Sequence, residues 1–224
     1  MKFRKILALT LMLMLVASYV VYAAEEEGKL ILSDSFENNK PGEVPVGWEG
    51  VGQSIIDSTT LKKIADGDLA VKLDNSPSAA GGIYKEFESL NKNRLLVSFY
   101  QPSKFKENVN IEVTTADGQR IFGLFITGSG NVRIRDAGVQ SGNIIQLAND
   151  NWHRVMLEWD AETKTYHAYV IMGKTKTEVT PKKGARFDPA LDDNPPKRIN
   201  FEVSKREDPK VAYIDHVELY DLSK

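Results

Sequence analysis

Eight side chains in the middle of the chain are of types that bind sugars, and each falls on the outward position of an alternating stretch: Tyr100, Glu112, Arg133, Arg135, Arg154, Glu158, His167 and Tyr169. Aromatic rings stack on the C–H faces of sugars, and planar charged groups hold hydroxyls or carboxylates in pairs. Arg133-Ile-Arg135 together with Arg154 suits an acidic polysaccharide. The expectation is that these residues share one concave sheet. A plainer reading competes with it: alternating charge on a strand marks a solvated face, and Trp48, Trp152 and Trp159 belong to the core.

Other chemistries find little support. His153, His167 and His216 are far apart, with no His-x-x-x-His spacing for zinc, and each reads as having a structural role. No nucleophile triad is visible. No glycine-rich loop links a strand to a helix, so phosphate cradling is not indicated. Glu158-Trp-Asp160-Ala-Glu162 would align three carboxylates if its strand ran on, but Ala161 to Lys164 reads as a turn that takes Glu162 out of the row.

The elements that must position these groups are strands. Asn151 to Gly173 predicts a long hairpin: Val155, Leu157 and Trp159 alternate with Arg154, Glu158 and Asp160, and Tyr166, Ala168 and Val170 form the inner row of the return strand. Met156 is an apolar exception on the outer row. Leu69/Val71/Leu73, Leu95/Val97/Phe99 and Val109/Ile111/Val113 alternate in the same way, with Asp66-Gly67, Asp117-Gly118 and Gly128-Ser-Gly130 as turns. Residues 190–194 allow one turn of helix. Many short strands with Gly, Pro and Asn turns predict an all-β, two-sheet antiparallel jelly-roll sandwich, with the first and last strands side by side.

The chain has 224 residues and no cysteine, so a secreted form must rely on its core or a metal. Lys2, Arg4 and Lys5, the apolar run from Ile6 and the small residues before Ala24 read as a signal peptide over residues 1–23, followed by a single domain over 24–224. The alternative is an uncut anchor, which also leaves the domain outside the membrane. Cleavage would move the formal net charge from -2 to -5, which disfavours nucleic acid and anionic lipid as partners.

Three stretches then resemble the concanavalin A-like lectins and glucanases, including laminin G-like domains: LILSDSFENNKPGEVPVGWEG at the start, NWHRVMLEWDAETKTYHAYV in the centre and VAYIDHVELYDL at the end. The resemblance implies a concanavalin A-like jelly roll. It also implies a structural Ca²⁺ where the first strand, an early turn and the last strand meet, held by backbone near Asp34 to Glu37, the Gly67 carbonyl and the Asp215 side chain. The competing role for Asp215 is to cap the neighbouring turn through backbone amides. The family's enzymes use Glu-x-Asp-x-Glu on a strand upstream of their Trp-His strand, with nucleophile and acid/base carboxylates ~5–5.5 Å apart. Here Trp152-His153 holds the Trp-His register, and the corresponding upstream stretch, Val109 to Thr115, offers only Glu112. The expected function is a secreted or cell-surface domain that binds polysaccharide without catalysis. Alternatives are a polysaccharide hydrolase or lyase and an adhesion module that binds protein.

Overall fold

The computed structural model describes residues 28–52, 54–57, 65–74, 80–204 and 211–223; the predicted signal peptide lies outside them. The strands in chain order are β1 (Lys29–Asp34), β2 (Glu49–Val51), β3 (Ile55–Asp57), β4 (Ala70–Asp74), β5 (Gly81–Glu86), β6 (Lys92–Gln101), β7 (Val109–Thr114), β8 (Arg120–Ile126) and β9 (Asn131–Asp136). There follow β10 (Val139–Gln140), β11 (Ile145–Gln146), β12 (Asn151–Asp160), β13 (Thr165–Met172), β14 (Thr175–Glu178), β15 (Ala185–Arg186), β16 (Arg198–Val203) and β17 (Val211–Asp221). The one described helical element is a short 3₁₀ turn at Pro189–Leu191, capped by the Asp188 carboxylate.

These strands form two sheets. Sheet 1 runs β14-β13-β12-β6-β17-β4-β3, with β1 added to β17 and β15 to β13. Sheet 2 runs β10-β9-β8-β7-β16-β5-β2, with β11 added to β9. Every pairing is antiparallel, and the first and last strands are hydrogen-bonded neighbours, as the sequence predicts.

The β12–β13 hairpin follows the sequence pattern. Val155 faces Val170, Leu157 faces Ala168 and Trp159 faces Tyr166. Asp160 shapes the turn by accepting from the Glu162 and Thr163 amides at 2.9 and 3.1 Å, and Lys164 closes it at φ +53°. Glu162 is therefore on the turn and outside the strand row.

The opening Asp-x-Phe-Glu and Gly-Trp stretches act as one unit. Asp34 accepts from the Phe36 amide and from Trp48 Nε1, both at 2.8 Å. It thereby anchors two buried rings, and Trp48 packs between Phe36 and Phe201 with centroids 5.8 Å away on each side. Trp48 and Trp159 lie in the core as expected, whereas Trp152 does not: it sits on the outward row of β12, 5.7 Å from Tyr100.

An aromatic column joins the sheets. Phe122 of β8 stacks on Tyr166 of β13 at 4.6 Å and on Phe187 at 4.7 Å, with Trp159 at 5.6 Å. The Tyr166 hydroxyl continues through the core into the seam between β8 and β9. There it accepts from the Arg135 amide at 3.2 Å and donates to the Arg135 carbonyl, with the Gly123 carbonyl 3.5 Å away. Burial raises its pKa, so it stays protonated and able to donate.

Tyr166→Phe is expected to leave the Arg135 backbone groups without that partner and to lower stability by about 1–3 kcal/mol, the cost of an unmet buried hydrogen bond, as read by urea unfolding.

Candidate functional site

The eight sequence-derived candidates do not share one sheet. Tyr100 (β6), Arg154 and Glu158 (β12), and His167 and Tyr169 (β13) lie on sheet 1, while Glu112 (β7), Arg133 and Arg135 (β9) lie on sheet 2. The outward faces of the two sheets point away from each other, so the expected single row is corrected to two groups. Strand alternation gives inward and outward positions but carries no information on which sheet a strand joins.

The sheet 1 group is mostly a set of mutually satisfied charges. Arg94 meets Glu158 at 2.6 Å, His167 meets Glu178 at 2.6 Å, and Arg154 is bonded to Glu218. Lys176 lies over the Tyr169 ring at 4.3 Å. Tyr100 packs between Trp152 and Tyr213, and Asp150 accepts from its hydroxyl at 3.4 Å. A cleft of about 420 Å³ opens beside Arg94, Glu158, Asp160 and His167.

The outward face of sheet 2 is different. Val109, Ile111 and Val113 of β7 face the core, which turns Asn110, Glu112 and Thr114 outward. Outward polar side chains are normally wet, yet these three are 3%, 3% and 1% exposed. They form the floor of a face, and cross-strand register places its walls. Glu202 (β16), Asn110, Phe125 (β8) and Arg133 lie in one row; Tyr84 (β5), Asn200 (β16), Glu112 and Gly123 lie in the next; Arg198 (β16), Thr114 and Arg120 (β8) lie in a third.

Glycine makes the floor possible. A Cβ at Gly123 would stand 2.6 Å from the Ile111 carbonyl and 3.1 Å from Glu112 Cγ. The Glu112 side chain occupies the space that a larger residue would take, and it reaches Arg120 Nε at 2.5 Å. That pair is close enough for an ion pair but off the line a hydrogen bond needs, since Glu112 Oε1 and Arg120 Nε are both without a hydrogen-bond partner. Asn200 Nδ2 is 3.5 Å from Glu112 Oε2.

Glu112 has the partner carboxylate that its own strand lacks. Burial is the main cause that raises its pKa; the Arg120 guanidinium lowers it and the nearby Glu202 charge adds to the rise. Burial raises Glu202 as well, against Arg120 and the Asn110 amide, which lower it. One arginine thus serves two carboxylates that both resist ionisation. A carboxylate pattern along the Val109 to Thr115 stretch cannot show this partner, because it comes from the neighbouring strand, 90 residues later in the chain.

Guanidinium groups flank the floor. Arg120 and Arg135 lie over the Phe125 ring at 5.0 and 5.8 Å, and Arg198 lies over Tyr84 at 3.9 Å. Asn110 Oδ1, Arg135 Nε and Arg198 Nε are buried and have no hydrogen-bond partner among the described residues. Two donors and an acceptor are therefore left open on one face, where neighbouring aromatic rings hold the guanidinium groups in place.

The predicted calcium residues do meet. Glu37 accepts from the Asp68 and Leu69 amides at 3.0 and 2.8 Å and lies directly against Gly67. Asp215, fully buried, accepts from the Asp66 and His216 amides at 2.8 and 2.7 Å. Both carboxylates therefore clasp the 66–69 turn through backbone amides. Among the described residues no three acidic or histidine side chains form a metal-binding group. Burial pushes Asp215 up to about 6, because the two amides and His216 only partly offset it and Asp66 adds repulsion. His216 lies at φ +48° in a bulge of β17, with Nδ1 3.1 Å from Asp66 and Nε2 3.4 Å from Glu218.

No family model matches the chain, and no curated protein sequence matches it. Solved structures do. The chain is similar to a sialidase (TM-score 0.64, 14% identity), where the match covers 88% of this chain and 19% of that one. It is similar to the catalytic domain of the glycoside hydrolase family 131 protein from Coprinopsis cinerea (TM-score 0.62, 13% identity; 87% and 95% covered). It is similar to the Emp47p carbohydrate recognition domain (TM-score 0.58, 11% identity; 86% and 97% covered). The fold is the concanavalin A-like jelly roll. The chain spans about a fifth of the length of the sialidase.

The raised carboxylates set a pH dependence. An acid whose folded pKa lies above its unfolded value favours folding most below the unfolded value, 4.5 for Glu112, and that advantage is lost as pH rises through the folded value. Glu112→Gln is expected to flatten the decline in stability from pH 4.5 to 7, measured by urea unfolding across that range. A steeper decline in the variant would contradict the burial argument. Gly123→Ala should cost about 1–3 kcal/mol by forcing the Ile111 carbonyl and Glu112 apart.

Proposed function

We propose that this is a glycan-binding domain and that the outward face of sheet 2 is its binding face. The observation that carries the reading is the set of open, buried polar atoms there: Asn110 Oδ1, Arg135 Nε and Arg198 Nε. Buried donors and acceptors are costly unless something meets them. A ligand rich in hydroxyls brings both kinds of partner at once, and the rings of Tyr84 and Phe125 beneath the arginines keep the donors in place. The printed names of two structural neighbours, a carbohydrate recognition domain and a glycoside hydrolase catalytic domain, support the same ligand class. Binding without catalysis is the leading form of the proposal, in a protein exported by its basic-then-apolar leader.

A second reading, polysaccharide hydrolysis, is favoured by one observation: Glu112 and Glu202 share Arg120, and burial holds both toward the protonated form. A carboxylic acid held toward its protonated form can protonate a leaving oxygen, and the member of the pair that has ionised can activate water.

Calcium belongs to the proposal as a structural ion at the 66–69 turn. The lone pairs left on Glu37 and Asp215 and the Gly67 carbonyl are suitable hard oxygen donors. A divalent cation would also compensate the buried Asp215 charge, whose raised pKa marks it as under-compensated.

Pull-down of residues 24–224 on a panel of insoluble polysaccharides, with and without chelator, tests these points together. Binding is expected, and Asn110→Ala or Asn200→Ala should weaken it about tenfold, the worth of roughly one hydrogen bond. Release of reducing sugar by the wild type that Glu112→Gln abolishes would replace the non-catalytic form with the hydrolytic one. A melting temperature unmoved by chelator and by added Ca²⁺ would remove the metal.

A further inference from the structure

We propose that the β8–β9 flank of this face recognises the carboxylate of a uronic sugar unit; this rests on the glycan-binding reading of the face. The charge pattern points there. On sheet 1 the outward arginines are neutralised, Arg94 by Glu158 and Arg154 by Glu218. On the same face Arg198, at the β16 edge, meets Glu86, and beyond the end of β9 Arg186 meets Asp136. Arg133 and Arg135 are exceptions: among the described residues neither forms an ion pair. Arg133 donates from Nε to Asn143 Oδ1 at 2.7 Å, and Arg135 donates to the Gly138 carbonyl at 3.0 Å. Each of these bonds fixes the side chain without cancelling its charge.

The geometry holds the charges in place before any ligand arrives. Arg135 and Arg120 share the Phe125 ring, and Arg133 is the direct cross-strand neighbour of Phe125. Three guanidinium groups are thus gathered around one buried phenyl ring, and Arg135 Nε is a buried donor with no acceptor. Ordering long side chains normally opposes binding; here packing has already done so. A carboxylate offers two acceptor oxygens to a guanidinium fork, which a sugar hydroxyl does not.

The opposite flank sets the complementary requirement. Glu112 and Glu202 lie toward β7 and β16, with Asn110 and Asn200 beside them, and the unpartnered Asn110 Oδ1 and Glu112 Oε1 are oxygens that hydroxyl donors would suit. The face is therefore divided into an acceptor side and a cationic side. A sugar ring with hydroxyls along one edge and a carboxylate at C6 matches both sides; a neutral sugar matches one.

The probes are polygalacturonate oligosaccharides and the same oligosaccharides after reduction of their carboxyls to hydroxymethyl groups, with neutral β-glucan oligosaccharides as a third arm, titrated calorimetrically. The parent should bind about tenfold or more tightly than the reduced form, the worth of one charge-assisted contact, and the difference should shrink with added salt. Arg133→Gln, on a partly exposed side chain, should reduce the difference, and Arg133→Gln with Arg135→Gln should abolish it. Arg133→Lys with Arg135→Lys should restore part of it by keeping charge without the fork. Thermal melts confirm that each variant is folded. Equal binding of parent and reduced forms, or binding of β-glucan alone, would overturn the uronate assignment and leave glycan binding intact. A folded wild type that binds none of the three, and no other polysaccharide of the panel, would overturn both.

Discussion

The arrangement depends on a hydroxyl that crosses the core. Tyr166 belongs to sheet 1, but its oxygen is bonded to the backbone of Arg135 in sheet 2, beside the Gly123 carbonyl. An antiparallel ladder would normally satisfy those backbone groups from the adjacent strand, and the β8–β9 pairing ends just before them, at Leu124 and Ile134. The tyrosine takes over at that point. The same few ångströms set the backbone from which Arg135 extends and the glycine over which Glu112 lies. A contact inside the core therefore fixes the spacing of groups on the outer surface, and the Phe122 stack holds the ring that delivers it.

The two outer faces show how one composition serves two ends. On sheet 1, opposite charges meet across strands, and such pairs contribute little energy but leave little unsatisfied. On sheet 2, carboxylates and guanidinium groups sink between aromatic rings and keep open valences. A protein does not gain stability by burying Glu112 with a misaligned partner, nor by leaving Asn110 Oδ1 unpaired. Such groups oppose folding, and the surrounding core of Val109, Ile111, Val113, Phe122 and Phe201 must outweigh them. Functional surfaces commonly carry this kind of local cost.

Much of the fold was legible in the sequence. The β12–β13 hairpin follows from period-two alternation, and its turn from the Asp160 carboxylate ahead of Lys164. The Asp34 and Trp48 stretches were recognisable as a pair without the reason for their pairing, which is a carboxylate to indole bond across 14 residues. Adjacency between the first and last strands was also legible. The candidate site was legible only in fragments. Glu112, Arg133 and Arg135, which the structure places on one sheet, stand out by residue type on alternating strands. Tyr100, Arg154, Glu158, His167 and Tyr169 stood out equally and lie on the other sheet. Nothing local separates the groups, because sheet membership is decided by crossovers between distant strands. Glu202 and Arg120 were missed for the same reason: their place beside Glu112 exists only once β16 and β8 flank β7. Trp152 was misassigned because indole area favours burial, whereas its strand position turns it outward, where Tyr100 covers part of it.

The side-by-side terminal strands have a geometric corollary. Gly28 sits so near Leu222 that a Cβ there would come within 2.5 Å of the leucine side chain. Chain therefore enters and leaves the described domain at nearly one point, on sheet 1. A domain built this way can be spliced into a loop of a host protein, or hung from a stalk at either end, with little strain at the junction.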